Sequence, residues 1–383
     1  MQTGPFGSQL HASDYVQFGI PSIMPKDIGQ RLEVNLESIA YITEENAQRL
    51  QKYRVKRDDI VCSRRGDVEK CAFITAKMDG WLCGTGCLKV SFIARDVVPR
   101  FIAYYLSTDD SKHWLTNHAV GTTMPNLNSG TLGRFPILLP PLPEQQAIAA
   151  VLSSLDDKID LLHRQNKTLE ALAQTLFRHW FVDGAEDDWE EGIITDIFEI
   201  RDGTHDSPKQ KNVGKPLITS KHINDFRLDF ENAYLISDED FAKINKRSNV
   251  ETFDILFSMI GTVGLTHLEQ SKMVDYAIKN VSVLKTSQNP KWAYYTYLWL
   301  NSSLGQEFIF ENKSGSTQEY ISLGSLRNIT FVKPPEHVLE NFNTIAVPLF
   351  NKIQTNQDQI RTLENLRDTL LPKLMSGEVR VRL

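Results

Sequence analysis

Few residues in this chain have the spacing to do chemistry, and each lacks the neighbours its reaction needs. Gly261-Thr262-Val263-Gly264 is glycine-rich, but no Lys-Ser/Thr pair follows to grip phosphate and metal. Glu311-Asn312-Lys313 has the E-x-K spacing of a nuclease site, a three-residue match that carries no weight alone. Neither a Gly-x-Ser-x-Gly elbow nor a His-Glu-x-x-His helix occurs. Tyr104-Tyr105 and the run Trp292–Trp299 offer flat faces on which bases stack, yet aromatic clusters on a helical stretch are more often core. The residues therefore favour binding over catalysis, and an enzyme with its own nuclease or methyltransferase site is disfavoured.

The elements that position such residues come from a chain of 383 residues, long enough for two domains, with 41% hydrophobic and 23% charged residues. The start, MQTGPFGSQL, has no basic or apolar signal region, and no apolar run reaches membrane-span length. A cytoplasmic location is expected, with Cys62, Cys71, Cys83 and Cys87 as free thiols. The net charge of -6 hides a gradient: residues 1–142 carry 16 basic against 14 acidic side chains, and residues 187–335 carry 16 against 21. No segment is strongly basic, so a nucleic-acid face has to be local and helped by partners.

Self-similarity organises the whole chain. Gly19–Ile28 recurs as Gly214–Ile223, an offset of 195 that also carries Asp59, Ile60, Ser63, Gly66 and Val68 onto Asp254, Ile255, Ser258, Gly261 and Val263. At an offset of 194, Gly121, Thr123, Leu127 and Leu132 fall on Gly315, Thr317, Ile321 and Leu326. The zinc-like spacing of Cys83 and Cys87 fails this comparison, because the positions matching the four cysteines hold Phe257, Thr266, Ile278 and Ser282.

Each repeat reads as a mixed α/β globule followed by a helix: residues 1–142, 143–186, 187–335 and 336–383. Strands are expected at GIPSIM, DDIVCS, CAFIT and CLKVSFI, then at KPLITS, FDILFSM and VSVLKT. Helices are expected at Ile39–Gln51, Pro99–Leu106, Asp238–Ile244 and Trp292–Leu300. The strand-like lead-in Trp189–Gly203 has no equivalent ahead of the first globule. Either the globules differ there or the chain starts late relative to its full repeat, and the second is the expectation.

The helices carry a coiled-coil seam. Ile148, Leu152, Leu155, Ile159, Leu162, Leu169, Ala173, Leu176 and Trp180 step by three and four, interrupted by the polar Asn166. The second seam runs through Phe342, Ala346, Leu349, Ile353, Asn356, Ile360, Leu363, Arg367, Leu370 and Leu374, with Pro348 expected to kink or break its first turns. Two repeats related by a dyad across the pair run antiparallel. Setting Asn166 against Asn356 then places Leu162 on Ile360, Leu169 on Ile353 and Leu152 on Leu370. Its poorest layer sets Leu155 against Arg367, tolerable where the arginine snorkels to water.

The tract Gly-Thr-Thr-Met-Pro-Asn-Leu at residues 121–127, then FPILLPPLPEQQAIAAVL and a Leu-rich helix, resembles the specificity (S) subunit of type I restriction–modification systems. The second copy, GSTQEYISLGSLRNITFVKPPEH and its helix, departs with Glu336-His337 where Glu-Gln is expected. The resemblance spans essentially the whole chain. It implies a non-catalytic, DNA-reading protein with two target recognition domains, each reading half of a split asymmetric site. The antiparallel helices are then a ruler that docks methyltransferase (M) subunits, two of them expected, and motor-nuclease (R) subunits join. S-adenosylmethionine, ATP and Mg belong to those partners and none to this chain. A helix of ~36 residues spans about 54 Å, or ~16 base pairs.

On this resemblance the DNA-contacting candidates are polar loops at matched positions. They comprise Ser63, Arg64 and Arg65 with Ser258 and Thr262, then Thr122, Thr123 and Asn126 with Ser316, Thr317 and Gln318. Lys26, Lys221 and His222 follow the matched Gly-x-Pro strands. The arginines suit phosphates or guanine, and equally suit a solvated turn beside Asp58, Asp59 and Asp67; the sequence leaves both open. The competing class is a non-DNA adaptor whose globules bind proteins.

Overall fold

In a computed structural model describing residues 1–121, 125–224, 227–315 and 318–382, the two repeats build the same sheet. In the first, Gln2–Thr3, Cys87–Val90, Ile60–Ser63 and Cys71–Phe73 lie side by side, all antiparallel, with Cys62 opposite both Cys71 and Leu88. In the second, Ile200–Asp202, Val281–Leu284, Ile255–Ser258 and Thr266–Leu268 take the same order. The central strands are buried along their whole length, which is why IVCS and ILFS lack polar alternation. A second small sheet in each repeat ends in a parallel pair, Ile20–Ile23 with Leu82–Cys83 and Lys215–Ile218 with Ala277–Ile278. Asp58 (φ +70°) and Phe253 (φ +75°), matched at offset 195, make the same left-handed turn and donate N–H to Ile74 and Glu269. The backbone repeats more faithfully than the side chains.

The chain divides into two compact units, Met1–Lys158 with Leu363–Leu383, and Ile159–Thr362. The first long helix, Leu142–Phe181, and the second, Glu336–Ser376, each contribute to both. In the first unit Ile148, Leu152, Leu374 and Met375 pack with Phe101 and Leu88 beneath the sheet. In the second unit Phe177, Phe181, Tyr295, Phe331 and Phe342 form an aromatic core. Tyr104 and the Trp292–Trp299 run are likewise core rather than open stacking platforms. All four cysteines are buried and free. Among the described residues no helix is long and apolar enough to cross a membrane.

Several expectations need correction. Only Glu44–Arg49 of the expected Ile39–Gln51 helix is α-helical, because Thr43 caps it and Ala40–Ile42 pairs with two strands instead. The second long helix runs unbroken through Pro348. The carbonyl that this proline orphans belongs to Thr344, and both residues are exposed, so the missing helix bond falls on the solvent side, where it costs least. Among the described residues four α-helices lie outside the expectation: the short Ser129–Leu132 and Leu323–Arg327, and the longer Asp109–His118 and Ser303–Asn312, matched at offset 194, which start at caps on Thr108 and Ser302 but carry no clear apolar stripe. The lead-in before the second globule supplies Glu190–Ile193, paired with Thr330–Lys333, and Ile200–Asp202, whose counterpart is Gln2–Thr3. At the position matching Thr330–Lys333, residues 136–139 have no strand partner among the described residues, and Leu138 and Leu139 are exposed.

Candidate nucleic-acid interface

The two loops singled out in the first repeat meet. Beyond Ile60–Ser63 the chain turns at Gly66 (φ +76°), a left-handed conformation where only glycine is unstrained. The turn docks against 125–127: Leu127 N–H donates to Arg64 O (2.9 Å) and Gly66 N–H to Pro125 O (3.2 Å). Arg64 Nε donates to Asn126 Oδ1 at 3.3 Å, so both candidates share one surface. Arg65 is exposed and forms no ion pair among the described residues. Asp67 pairs with Lys70 (2.5 Å), Asp58 lies by Arg57 (3.7 Å), and Asp59 accepts from the Lys56 N–H (2.8 Å). The three aspartates are thus engaged away from Arg64 and Arg65.

The second repeat builds the same junction with other side chains. Gly261 (φ +82°) donates N–H to Glu319 O at 3.0 Å, and Ile321 N–H donates to Met259 O at 2.9 Å. Thr262 and Gln318 are exposed here, whereas Met259 and Ile260 stand where the first repeat has Arg64 and Arg65. Thr122, Thr123, Ser316 and Thr317 lie outside the described residues.

Three residues expected at the surface are buried supports instead. Ser63 Oγ donates to Arg65 O (3.0 Å) and Ser258 Oγ to Thr262 O (2.6 Å), so these hydroxyls hold their turns from within. His222 Nδ1 accepts the Thr219 N–H at 3.0 Å. The matched Asp27 does the same for Met24 at 2.9 Å, so both side chains cap a short 3₁₀ turn. Lys26 and Lys221 on those turns are exposed, and Lys26 Nζ donates to Ser38 O at 2.8 Å. Phe6 escaped the sequence reading: its ring lies under the Arg64 guanidinium, 5.8 Å from its centroid.

Within the second unit the long helices run antiparallel, and Asn356 Nδ2 donates to Asn166 Oδ1 at 2.8 Å with both residues buried. The pair leaves Asn166 Nδ2 and Asn356 Oδ1 without hydrogen bonds, the cost of a polar register mark in an apolar seam. Asn166→Leu alone takes the short bond from Asn356, leaving its Nδ2 the long contact to Gln165 Oε1 (3.4 Å), and lowers stability by about 1–3 kcal/mol. Asn166→Leu with Asn356→Leu recovers that loss and raises the thermal midpoint above wild type while weakening register. Melting curves of the wild type, Asn166→Leu, Asn356→Leu and the double variant check this; additive effects of the two substitutions would refute it.

Within the first unit the Leu155–Arg367 layer is resolved differently from expectation. Arg367 does not snorkel; it is 6% exposed, with Nη1 on Asp156 Oδ1 (3.1 Å) and Nη2 on Asp368 Oδ1 (2.7 Å). Tyr104 Oη donates to Asp156 Oδ2 at 2.5 Å. Burial, then the neighbouring Asp156 charge, pushes the Tyr104 hydroxyl well above the ordinary phenol range, so it stays a donor. In the second repeat the matched positions are Leu298, Phe350 and Ala173, all buried and apolar.

The chain is a duplicated α/β globule with one junction of two loops in each copy and a long helix after each. A model of the type I restriction modification DNA specificity domain matches residues 16–171 and 186–365, one match per repeat. The chain belongs to this family: it is a specificity subunit of the type I restriction–modification class. It is similar to the type I restriction enzyme MjaIX specificity subunit of Methanocaldococcus jannaschii, 30% identical over 314 residues, which cover 74% of this chain and 70% of that protein. The HindI specificity subunit of Haemophilus influenzae is 20% identical over 409 residues, covering 86% and 88%. The crystal structure of a type I S subunit from M. genitalium shares the fold, with a TM-score of 0.58 at 16% identity over 97% of this chain and 92% of that one.

Proposed function

We propose that each repeat reads one half of a bipartite, asymmetric DNA site, and that the antiparallel helices set the unread spacer and dock methyltransferase subunits. The observation that carries this reading is the matched junction of two loops: one backbone frame presents Arg64, Arg65 and Asn126 in one repeat, and Thr262 and Gln318 in the other, where Met259 and Ile260 turn to the core at the positions of the two arginines. Identical frames with divergent side chains suit two readers of different sequence. Exposed Arg65, Lys26 and Lys221 suit phosphate contacts, and Arg64 suits a base edge. The low overall basicity fits a reader whose affinity is shared with partners. A helix of 40 residues is about 60 Å long, the rise of ~18 base pairs, so its length is a functional quantity.

Methylation of an adenine in each half-site falls to methyltransferase subunits carrying S-adenosylmethionine, which extrude the base; cleavage falls to motor-nuclease subunits. The assembly works in the cytoplasm, where the DNA is. The test is to map methylated adenines genome-wide in a host carrying the intact system, before and after exchanging residues 1–142 for those of another specificity subunit. A split motif that changes in one half only is the expected result. A motif that changes in both halves, or in neither, overturns the half-site assignment.

A further inference from the structure

Beyond the two loops already described, a third one reaches the solvent at the same place in each repeat. Gly4 N–H donates to Cys87 O (2.9 Å) and Gly203 N–H to Val281 O (2.8 Å), equivalent bonds at the ends of equivalent strands. A Cβ on Gly4 would lie 2.1 Å from Gly84 O, and on Gly203 2.5 Å from Ile278 O, so both positions require glycine. Two residues further on, each repeat projects a ring: Phe6, 54% exposed, and His205, with its side chain 62% exposed. The offset here is 199, which hides the match from a comparison run at 194 or 195.

Each ring is held, and by different chemistry. The Phe6 ring carries the Arg64 guanidinium on its face while Asn126 takes the Arg64 Nε–H. Among the described residues that leaves the two terminal nitrogens of Arg64 as a fork, the geometry that bonds guanine O6 and N7 together. Among the described residues His205 has no such cation; its Nε2 lies 3.0 Å from Asp202 Oδ2 and its Nδ1 2.9 Å from Asn280 Oδ1, and a neutral ring keeps both bonds when Nε2–H donates to Asp202 and the Asn280 amide is turned to donate to Nδ1. Its edges are taken, so it offers a planar face of fixed orientation. The acids of this loop do not repel a phosphate backbone unopposed, since Asp202 pairs with Arg247, and Asp206 with Lys243 at 3.4 Å.

We propose that the loops after Gly4 and Gly203 are a third reading loop, in which the residue at the Phe6/His205 position sets base specificity. Phe6 is a positioning residue that acts through Arg64, and His205 contacts a base directly through its ring face. The proposal rests on the DNA-reading function above. Fixing a contact group in advance removes the ordering cost otherwise charged against binding, and this gives an exposed ring a reason to be tethered.

The test uses the complex of the full chain with its methyltransferase subunits, assayed by genome-wide methylation mapping and by binding to the cognate duplex. Phe6→Ala is expected to relax one G·C position in the first half-site and weaken binding about tenfold, with Phe6→Trp retaining the wild-type motif. His205→Ala is expected to alter the second half-site alone. Both rings are exposed, so unchanged melting curves accompany these effects. If both alanine variants keep the wild-type motif and affinity while the wild type methylates a split site, the third loop is refuted and the DNA reading stands. An equal loss on all sequences, without a motif change, also refutes it. A wild-type complex that methylates no split motif brings down the reading beneath it.

Discussion

Arg367→Ala is expected to destabilise the first unit by about 3 kcal/mol, the low end for breaking a buried ion pair. The arginine sits in an apolar seam, and among the described residues its removal leaves the Asp156 carboxylate with only the Tyr104 hydroxyl as a close donor. Asp156 keeps 21% side-chain exposure, which holds the loss at the low end of the range for a buried ion pair. Changing all three members, Tyr104→Leu, Asp156→Phe and Arg367→Ala, installs the set that the second repeat already packs as Leu298, Phe350 and Ala173. An apolar replacement of a buried ion pair is often neutral or stabilising, so the triple variant should recover most of the loss. Because the chain has two units, a global melt blurs the result. Hydrogen exchange of the amides at Ile148–Asp156 reports it locally. Protection within 0.5 kcal/mol of wild type in the single variant would mean that Arg367 is solvated and the network carries no stability.

That network also marks the boundary of what periodicity reveals. The internal repeat, the globule–helix order and the facing of Asn166 and Asn356 are all carried by residues at regular spacing, so they are legible from one sequence. Arg367 looked like a poor seam residue because its partners are off the seam: Asp156 follows the seam position Leu155, and Tyr104 comes from the globule. The seam itself drifts. Leu176 and Trp180 keep the heptad step, yet Phe177 and Phe181 are the deeply buried pair, since 3.6 residues per turn slips against a 3.5-residue pattern where no long coil holds it. In the loops, Arg64 and Asn126 were each visible as polar residues at matched positions, but their meeting is a tertiary fact spanning 62 residues. Asp27 and His222 were opaque for another reason: chemically unlike side chains perform one capping role, which only the hydrogen bond discloses.

Arg64→Ala and Arg65→Ala are expected to fail in different ways, and the contrast separates base reading from backbone holding. Arg64 is held by Asn126 and the Phe6 ring, so its direction is fixed before DNA arrives. A fixed guanidinium contacting guanine contributes about 1–3 kcal/mol of discrimination, so its loss costs roughly tenfold to a hundredfold on the cognate first half-site. The same change costs little on duplexes already altered at the base it reads. Arg65 is exposed and untethered by any ion pair among the described residues, which suits a phosphate. Its removal should weaken binding about equally on every sequence and reduce the salt slope by about one. Titrations of the complex on cognate and single-substituted duplexes, at several salt concentrations, resolve the two. If Arg64→Ala weakens all duplexes alike, Arg64 is a backbone contact and the first half-site is read elsewhere in the loops.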